Sequence, residues 1–126
     1  MIRKHRVTLT TTGSAGSAVA TSTLTLGRPG FVRAIAVDYH ASAPATTDLV
    51  IKADSAAGVT VFTKTNTVTD QAAAPVAMPG IDETGAATAA TDVGSGGFPF
   101  GTGLYFSVAQ SDALTGAAVV DVWLET

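Results

Sequence analysis

The sequence predicts an all-β fold, an antiparallel β-sandwich of jelly-roll or Greek-key type. Three observations predict it. Short stretches rich in Thr, Val and Ala alternate apolar and polar residues with period two, the pattern of a half-buried strand. Gly or Pro stands at nearly every break between those stretches. No stretch holds a convincing helical period, and the strands recur every 10–15 residues or so, the layout of a sandwich and not of βαβ units.

Residues 2–12 alternate, with Ile2, Lys4 and Arg6 on one side and Arg3, His5, Val7 and Leu9 on the other. The phase is imperfect at the start, so Arg3 to Arg6 are expected outside the core as an arm or edge. GSAGS at 13–17 supplies two glycines for a turn, and AVATSTLTL at 18–26 resumes the period of two, so the pair reads as a hairpin. GRPG at 27–30 breaks the chain. FVRAIAVDYHA then gives the clearest strand, with Phe31, Arg33, Ile35, Val37 and Tyr39 on one face and an apolar-rich opposite face, which suits a central position.

DLVIKAD (48–54) and VTVFTKT (59–65) flank SAAG as a second hairpin. Residues 66–103 are the least regular part. TNTVTDQAAAPVAMPG is a weakly apolar run, IDETGAATAATD could hold a helical turn or a short strand, and GSGGFPFGTG (94–103) reads as a long Gly-rich loop. GLYFSVAQS (103–111) and AAVVDVWLE (117–125) read as a closing hairpin around DALTG. The last strand sets Ala118, Val120, Val122 and Leu124 against Val119, Asp121, Trp123 and Glu125, in either orientation. The expected core is Phe31, Ile35, Val37, Leu49, Ile51, Val61, Leu104, Phe106, Val120 and Val122.

A chain of 126 residues fits one domain, residues 1–126, with a basic N-terminal arm over about residues 1–6. Much of its apolar content is Ala, so the core is expected to be thin and self-association to add burial. The charges are segregated. Residues 1–64 hold all seven bases and three acids, net +4; residues 65–126 hold seven acids and no base, net −7. Strands from the two halves could pair and neutralise one another, or two faces of opposite sign could meet neighbouring subunits. The thin core and the opposed halves predict a homo-oligomer, with a trimer the expected order. Only Arg3, Lys4 and Arg6 cluster and the total is acidic, which disfavours nucleic acid. No stretch approaches the ~20 apolar residues of a membrane helix, and no apolar run follows the basic start as a signal peptide requires. Assembly in a cytosol is expected.

Residues with catalytic chemistry are scarce. The chain has no Cys, which removes thiolate catalysis and Cys-ligated zinc. His5 and His40 are the only histidines and lack partners at metal-ligand spacing. Asp38 and His40 share a strand face and form the one conceivable base pair for a hydroxyl nucleophile, but a structural role fits them better. Asp82, Glu83 and Asp92 could be imagined around Ca²⁺, yet the alternating acidic spacing of a calcium loop is missing and a solvated acidic loop is the simpler reading. GSGGFPFGTG resembles a phosphate cradle only in its glycines, since it lacks the Gly-Lys-Ser/Thr ending. Neither enzyme activity nor a cofactor or metal is expected. The same loop offers Phe98 and Phe100 either as exposed interface anchors or as a plug at the end of the sandwich. Arg3, Lys4, Arg6, Phe98 and Phe100 are therefore the expected partner-binding residues.

The opening VTLTTTGSAGSAVATSTLTLGRPGFVRAIAVDY, the loop SGGFPFGTG and the closing LYFSVAQSDALTGAAVVDVWLE together resemble virion structural proteins of tailed bacteriophages, in particular the small capsid decoration (cement) proteins. The resemblance spans most of the chain and lies in strand layout and composition, not in a diagnostic motif. It implies a β-sandwich that trimerises or clusters on the outer capsid, is located in the virion, and ties subunits of the major capsid protein together without an active site. A tail, neck or fibre-base subunit is the alternative within the same particle. A carbohydrate-binding sandwich is the alternative outside it, and would require coplanar exposed aromatics in a groove.

Overall fold

The computed structural model describes residues 1–76 and 97–126. They form nine strands: β1 (Ile2–Leu9), β2 (Ala18–Thr25), β3 (Gly30–Tyr39), β4 (Asp48–Ala53), β5 (Thr60–Lys64), β6 (Gln71–Pro75), β7 (Phe98–Phe100), β8 (Gly103–Ser111) and β9 (Ala118–Glu125), with no helix among the described residues. One sheet runs β1-β9-β3-β6 and the other β2-β8-β4-β5, and every pairing is antiparallel. The short β7 also pairs with β3, so β6 and β7 share one edge of that strand end to end. A five-stranded and a four-stranded sheet in these orders, with the chain crossing from sheet to sheet, are a jelly roll.

Two local readings are corrected. The first and last turns are not hairpins: β1 and β9 lie in one sheet, β2 and β8 in the other, so both turns are arches between sheets. Turn chemistry reverses the chain in either case and does not say which sheet receives it. The arches are tied together by buried Thr11, whose hydroxyl donates to the Asp112 carbonyl at 2.5 Å and accepts the Leu114 N–H at 2.9 Å. The 48–65 hairpin does form, as β4 with β5. Second, residues 71–75 and 98–100 are strands and not irregular chain. Of the two readings of the basic segment at about 1–6, arm or edge, the structure has the edge. Its strand, β1, is in register with β9 from Ile2 opposite Glu125 to Leu9 opposite Ala118.

The core between the sheets contains Ile35, Val37, Leu49, Ile51, Leu104, Phe106, Val120 and Val122, as the period of two requires. Val61 is only partly buried. Phe31 is 39% exposed and lies outside the core. The reason is a bulge: Val32 faces Leu124 while Ala34 faces the next residue, Trp123, leaving Arg33 as an extra residue on β3. The bulge turns both Val32 and Ile35 inward and leaves Phe31 outside. In β9 the inward set is Ala118, Val120, Val122 and Leu124, so Trp123 points outward.

Candidate partner-binding surface

Strand β9 runs through the middle of the first sheet, flanked by β1 and β3. Register therefore assembles rows across its outer face. One row is Ile2, Glu125, Phe31 and Pro99. The next is Lys4, Trp123, Ala34 and Pro75. Ile2 is 54% exposed, Phe31, Pro75 and Pro99 are exposed, and Trp123 and Ala34 are half-buried. Six apolar side chains thus gather on two adjacent rows, with Glu125 set among them, which scattered surface apolar residues do not do. A shallow groove of about 250 Å³ lies between Ile2, Ala34, Pro75 and Trp123, and a second of about 320 Å³ beside Phe31 and Pro99.

Ion pairs stand at and within the apolar rows: Asp121 lies in the row beyond Trp123, and Glu125 lies between Ile2 and Phe31. Arg6 donates two hydrogen bonds to the Asp121 carboxylate, at 2.8 and 2.9 Å. Arg33 Nε lies 2.5 Å from Glu125 Oε2, and its guanidinium sits 5.3 Å from the centre of the Phe31 ring. The hydrogen bond from Arg6 holds the Asp121 carboxyl below its ordinary range, and that from Arg33 does the same for Glu125. Arg6 is pushed up by the same contact with Asp121. These surface pairs add little to stability; they keep paired charge beside the aromatic rows, with the Asp121 end mostly covered. They also show part of what the segregated charge does: each joins a base of the first half to an acid of the second.

The residues expected to bind a partner are distributed differently from the expectation. Arg3 and Lys4 are exposed on the edge strand, and Lys4 borders Trp123. Arg6 is engaged with Asp121. Phe98 and Phe100 are not exposed anchors: Phe100 is 4% exposed within the core and Phe98 packs against it. Pairing of β7 with β3 gives that tripeptide the strand period, so both rings point inward and Pro99 points out. Gly97 makes this approach feasible, since a Cβ there would come 2.8 Å from the Val32 carbonyl oxygen at a φ of +88°. Trp123, Ile2, Phe31, Pro75 and Pro99 were not singled out by sequence reasoning. The available signal was the fully apolar alternate face of β9, which forces the chain's single Trp outward.

The other candidates have structural roles. The Gly-rich segment does form an anion cradle, and the chain's own Asp54 fills it. Its carboxylate accepts the N–H groups of Gly101, Thr102 and Gly103 at 3.0, 2.6 and 3.1 Å, and the Thr102 hydroxyl at 3.2 Å. The amides of Thr102 and Gly103 draw the Asp54 carboxyl below its ordinary range. His40 Nδ1 accepts the Ser42 N–H at 3.0 Å, closing a turn. Tyr39 is buried, its hydroxyl is unpartnered among the described residues, and burial pushes it up to about 12. No group of three or more His, Cys, Asp or Glu side chains is placed to hold a metal among the described residues. Asp82, Glu83 and Asp92 lie outside the described residues.

No protein-family model matches this chain, and no curated protein matches it.

Proposed function

We propose that this chain is a non-enzymatic structural protein of a virion, a capsid decoration or cement protein that attaches to the lattice of the major capsid protein. The observation that supports an attachment role is the two-row apolar-rich patch around Trp123, with the Arg6–Asp121 pair beside it and the Arg33–Glu125 pair within it. A sheet face with exposed aromatic and aliphatic groups and paired charge beside them has the anatomy of a protein-binding surface. A lattice repeats its binding site many times, so a small adhesive face with modest affinity per contact suffices when copies are linked. The resemblance of strand layout to the phage decoration proteins supports the capsid as the place of attachment.

The test is immunogold electron microscopy on particles purified from the host that encodes the chain, with mass spectrometry of the same particles. Gold distributed over the capsid shell is expected. Gold confined to the tail, neck or fibre base would move the same attachment role to that part of the particle. Particles that lack the chain would overturn the proposal.

A further inference from the structure

We propose that the outer edge of β2 is a self-pairing edge: two copies of the chain join there as antiparallel strands, with Thr23 facing Thr23 of the second copy. The inference is independent of the capsid reading.

It begins with the four sides on which the sheets end. β1 carries Arg3, Lys4 and Arg6, so two copies of it would set like charges against each other. β6 ends in Pro75 and β5 is five residues long with Lys64 at its end. Charge, proline and shortness are the devices that keep sheet edges from pairing. β2 has none of them. It is eight residues, AVATSTLT, without charge, Pro or Gly, and three of them are Thr, which favours strands.

The hydrogen bonds already made by β2 say which of its residues face outward. Val19 exchanges two bonds of 3.0 Å with Thr12 on the outer side. On the inner side, Leu26 donates to Thr102 at 2.8 Å, continuing the ladder with β8. Backbone groups alternate direction along a strand. Thr21, Thr23 and Thr25 therefore direct their N–H and C=O groups away from β8, and among the described residues no strand pairs with them on that side. Their side chains are exposed on the solvent face.

These three residues select one antiparallel register. With Thr23 on the two-fold axis, Thr21 faces Thr25 of the second copy, and all three residues of each strand are paired. Pairing stops before Val19, whose edge Thr12 already occupies. On the inward face, the register brings Ser22 opposite Leu24 and Ala20 opposite Leu26. Leu24 and Leu26 are the half-buried apolar residues at this end of the core, and the second copy covers them. Two four-stranded sheets thus become one continuous sheet. A two-fold closes at two copies, in contrast to the trimer expected from the sequence.

The absence of cysteine makes the register directly testable. Facing residues in a hydrogen-bonded antiparallel pair have Cα atoms about 5.5 Å apart, within the span of a disulfide. Thr23→Cys should cross-link the full-length chain to itself when oxidised glutathione is added. Thr21→Cys should not, because its two copies would stand four residues out of register, about 14 Å apart. A mixture of Thr21→Cys with Thr25→Cys should cross-link as a heterodimer. Light scattering on the unmodified chain at tens of micromolar should give twice 12.6 kDa. Thr23→Lys, an exposed change that leaves the core intact, should raise the dimer dissociation constant at least about fivefold by opposing two cations. A monomer with no Thr23→Cys cross-link overturns the proposal, as does a trimer. Equal cross-linking of Thr21→Cys and Thr23→Cys overturns the register. Circular dichroism matching the parent shows that each variant is folded.

Discussion

The two sheets share one core yet turn different outer faces to solvent. Across the first, register places Ile2, Phe31 and Pro99 beside Trp123, Ala34 and Pro75. Across the second it places Thr23, Tyr105, Lys52 and Thr60 beside Thr21, Ser107, Val50 and Thr63. Thr has the branched Cβ that a strand favours and a hydroxyl that water solvates, so the second face satisfies both the sheet and the solvent. The first face uses aromatic and aliphatic groups where folding gains little from them. Such a patch suits contact with another surface, which is why the proposed attachment role is placed on this sheet's face.

Removing a side chain from the shared core should have the largest effect and separate inside from outside. Phe106 is fully buried under the second sheet, and Phe106→Ala should cost about 3–5 kcal/mol in denaturant unfolding. Phe100→Ala should fall in the same class, because its ring is also within the core. Phe31→Ala, on the strand that β7 pairs with, should cost no more than about 1 kcal/mol. Equal costs for Phe100 and Phe31 would break the distinction between core and face.

The second experiment converts one face into the other. Ile2→Thr, Phe31→Thr and Trp123→Thr together give the first sheet a surface like the second. The variant should keep the fold, with attachment to particles lacking the chain reduced at least about tenfold, since buried aromatics dominate interfaces. In the parent protein the single Trp reports the contact, and its emission should shift to shorter wavelength on attachment. Ser107→Ala on the Thr face should change neither quantity. If the Thr-converted variant attaches as tightly as the parent, the Trp123 face is not the contact.

Much of this arrangement was legible in the sequence, and the parts that were not share a cause. Period two located seven of the nine strands and eight of the ten expected core residues, because alternation is a local property. The bulge at Arg33 was not legible: it depends on how β3 meets β9, and it moved Phe31 from the core to the surface. The same holds for FPF, whose two rings turn inward only because β7 finds the free edge of β3. The cradle at 101–103 was visible as glycines, but its occupant, Asp54, lies 47 residues from Gly101 along the chain. The arches were misread as hairpins since a turn does not encode its destination. The candidate surface needed the register of β1, β9 and β3 together, which no single segment contains.

The ends of the two sheets differ as their faces do, in how a polar group is satisfied. At the end of β3, Tyr39 buries a hydroxyl that has no partner among the described residues. Its folded value of about 12 lies above the ordinary value of 10, so the neutral phenol is favoured in the fold. The resulting stability is fully present below pH 10 and is lost as pH rises toward 12, by up to about 2–3 kcal/mol. Tyr39→Phe should abolish this alkaline loss. At neutral pH it should be neutral or stabilising by about 1 kcal/mol, because an unsatisfied buried hydroxyl is removed. A clear destabilisation at pH 7 would mean that the hydroxyl has a partner in solution.

At the end of β4 in the second sheet, Asp54 is satisfied four times over, by three amides and a hydroxyl. It adopts a left-handed backbone with φ of 68°, a conformation Asp and Asn tolerate better than most residues. The Gly101–Gly103 turn it holds joins β7 to β8, and so links the two sheets at one end. Its carboxyl is held below the ordinary value of 3.8. The charged form is therefore favoured in the fold, and the stability it contributes is present above about pH 4 and lost as pH falls through the depressed folded value. Asp54→Asn keeps the shape and the tolerance for this backbone while removing the charge. Because the group is exposed, the loss at pH 7 should be small, about 1 kcal/mol. The gap between parent and variant should close progressively below pH 4, as urea midpoints of the two converge. The absence of any gap at pH 7 would mean that the side chain holds this turn by its shape and not by its charge.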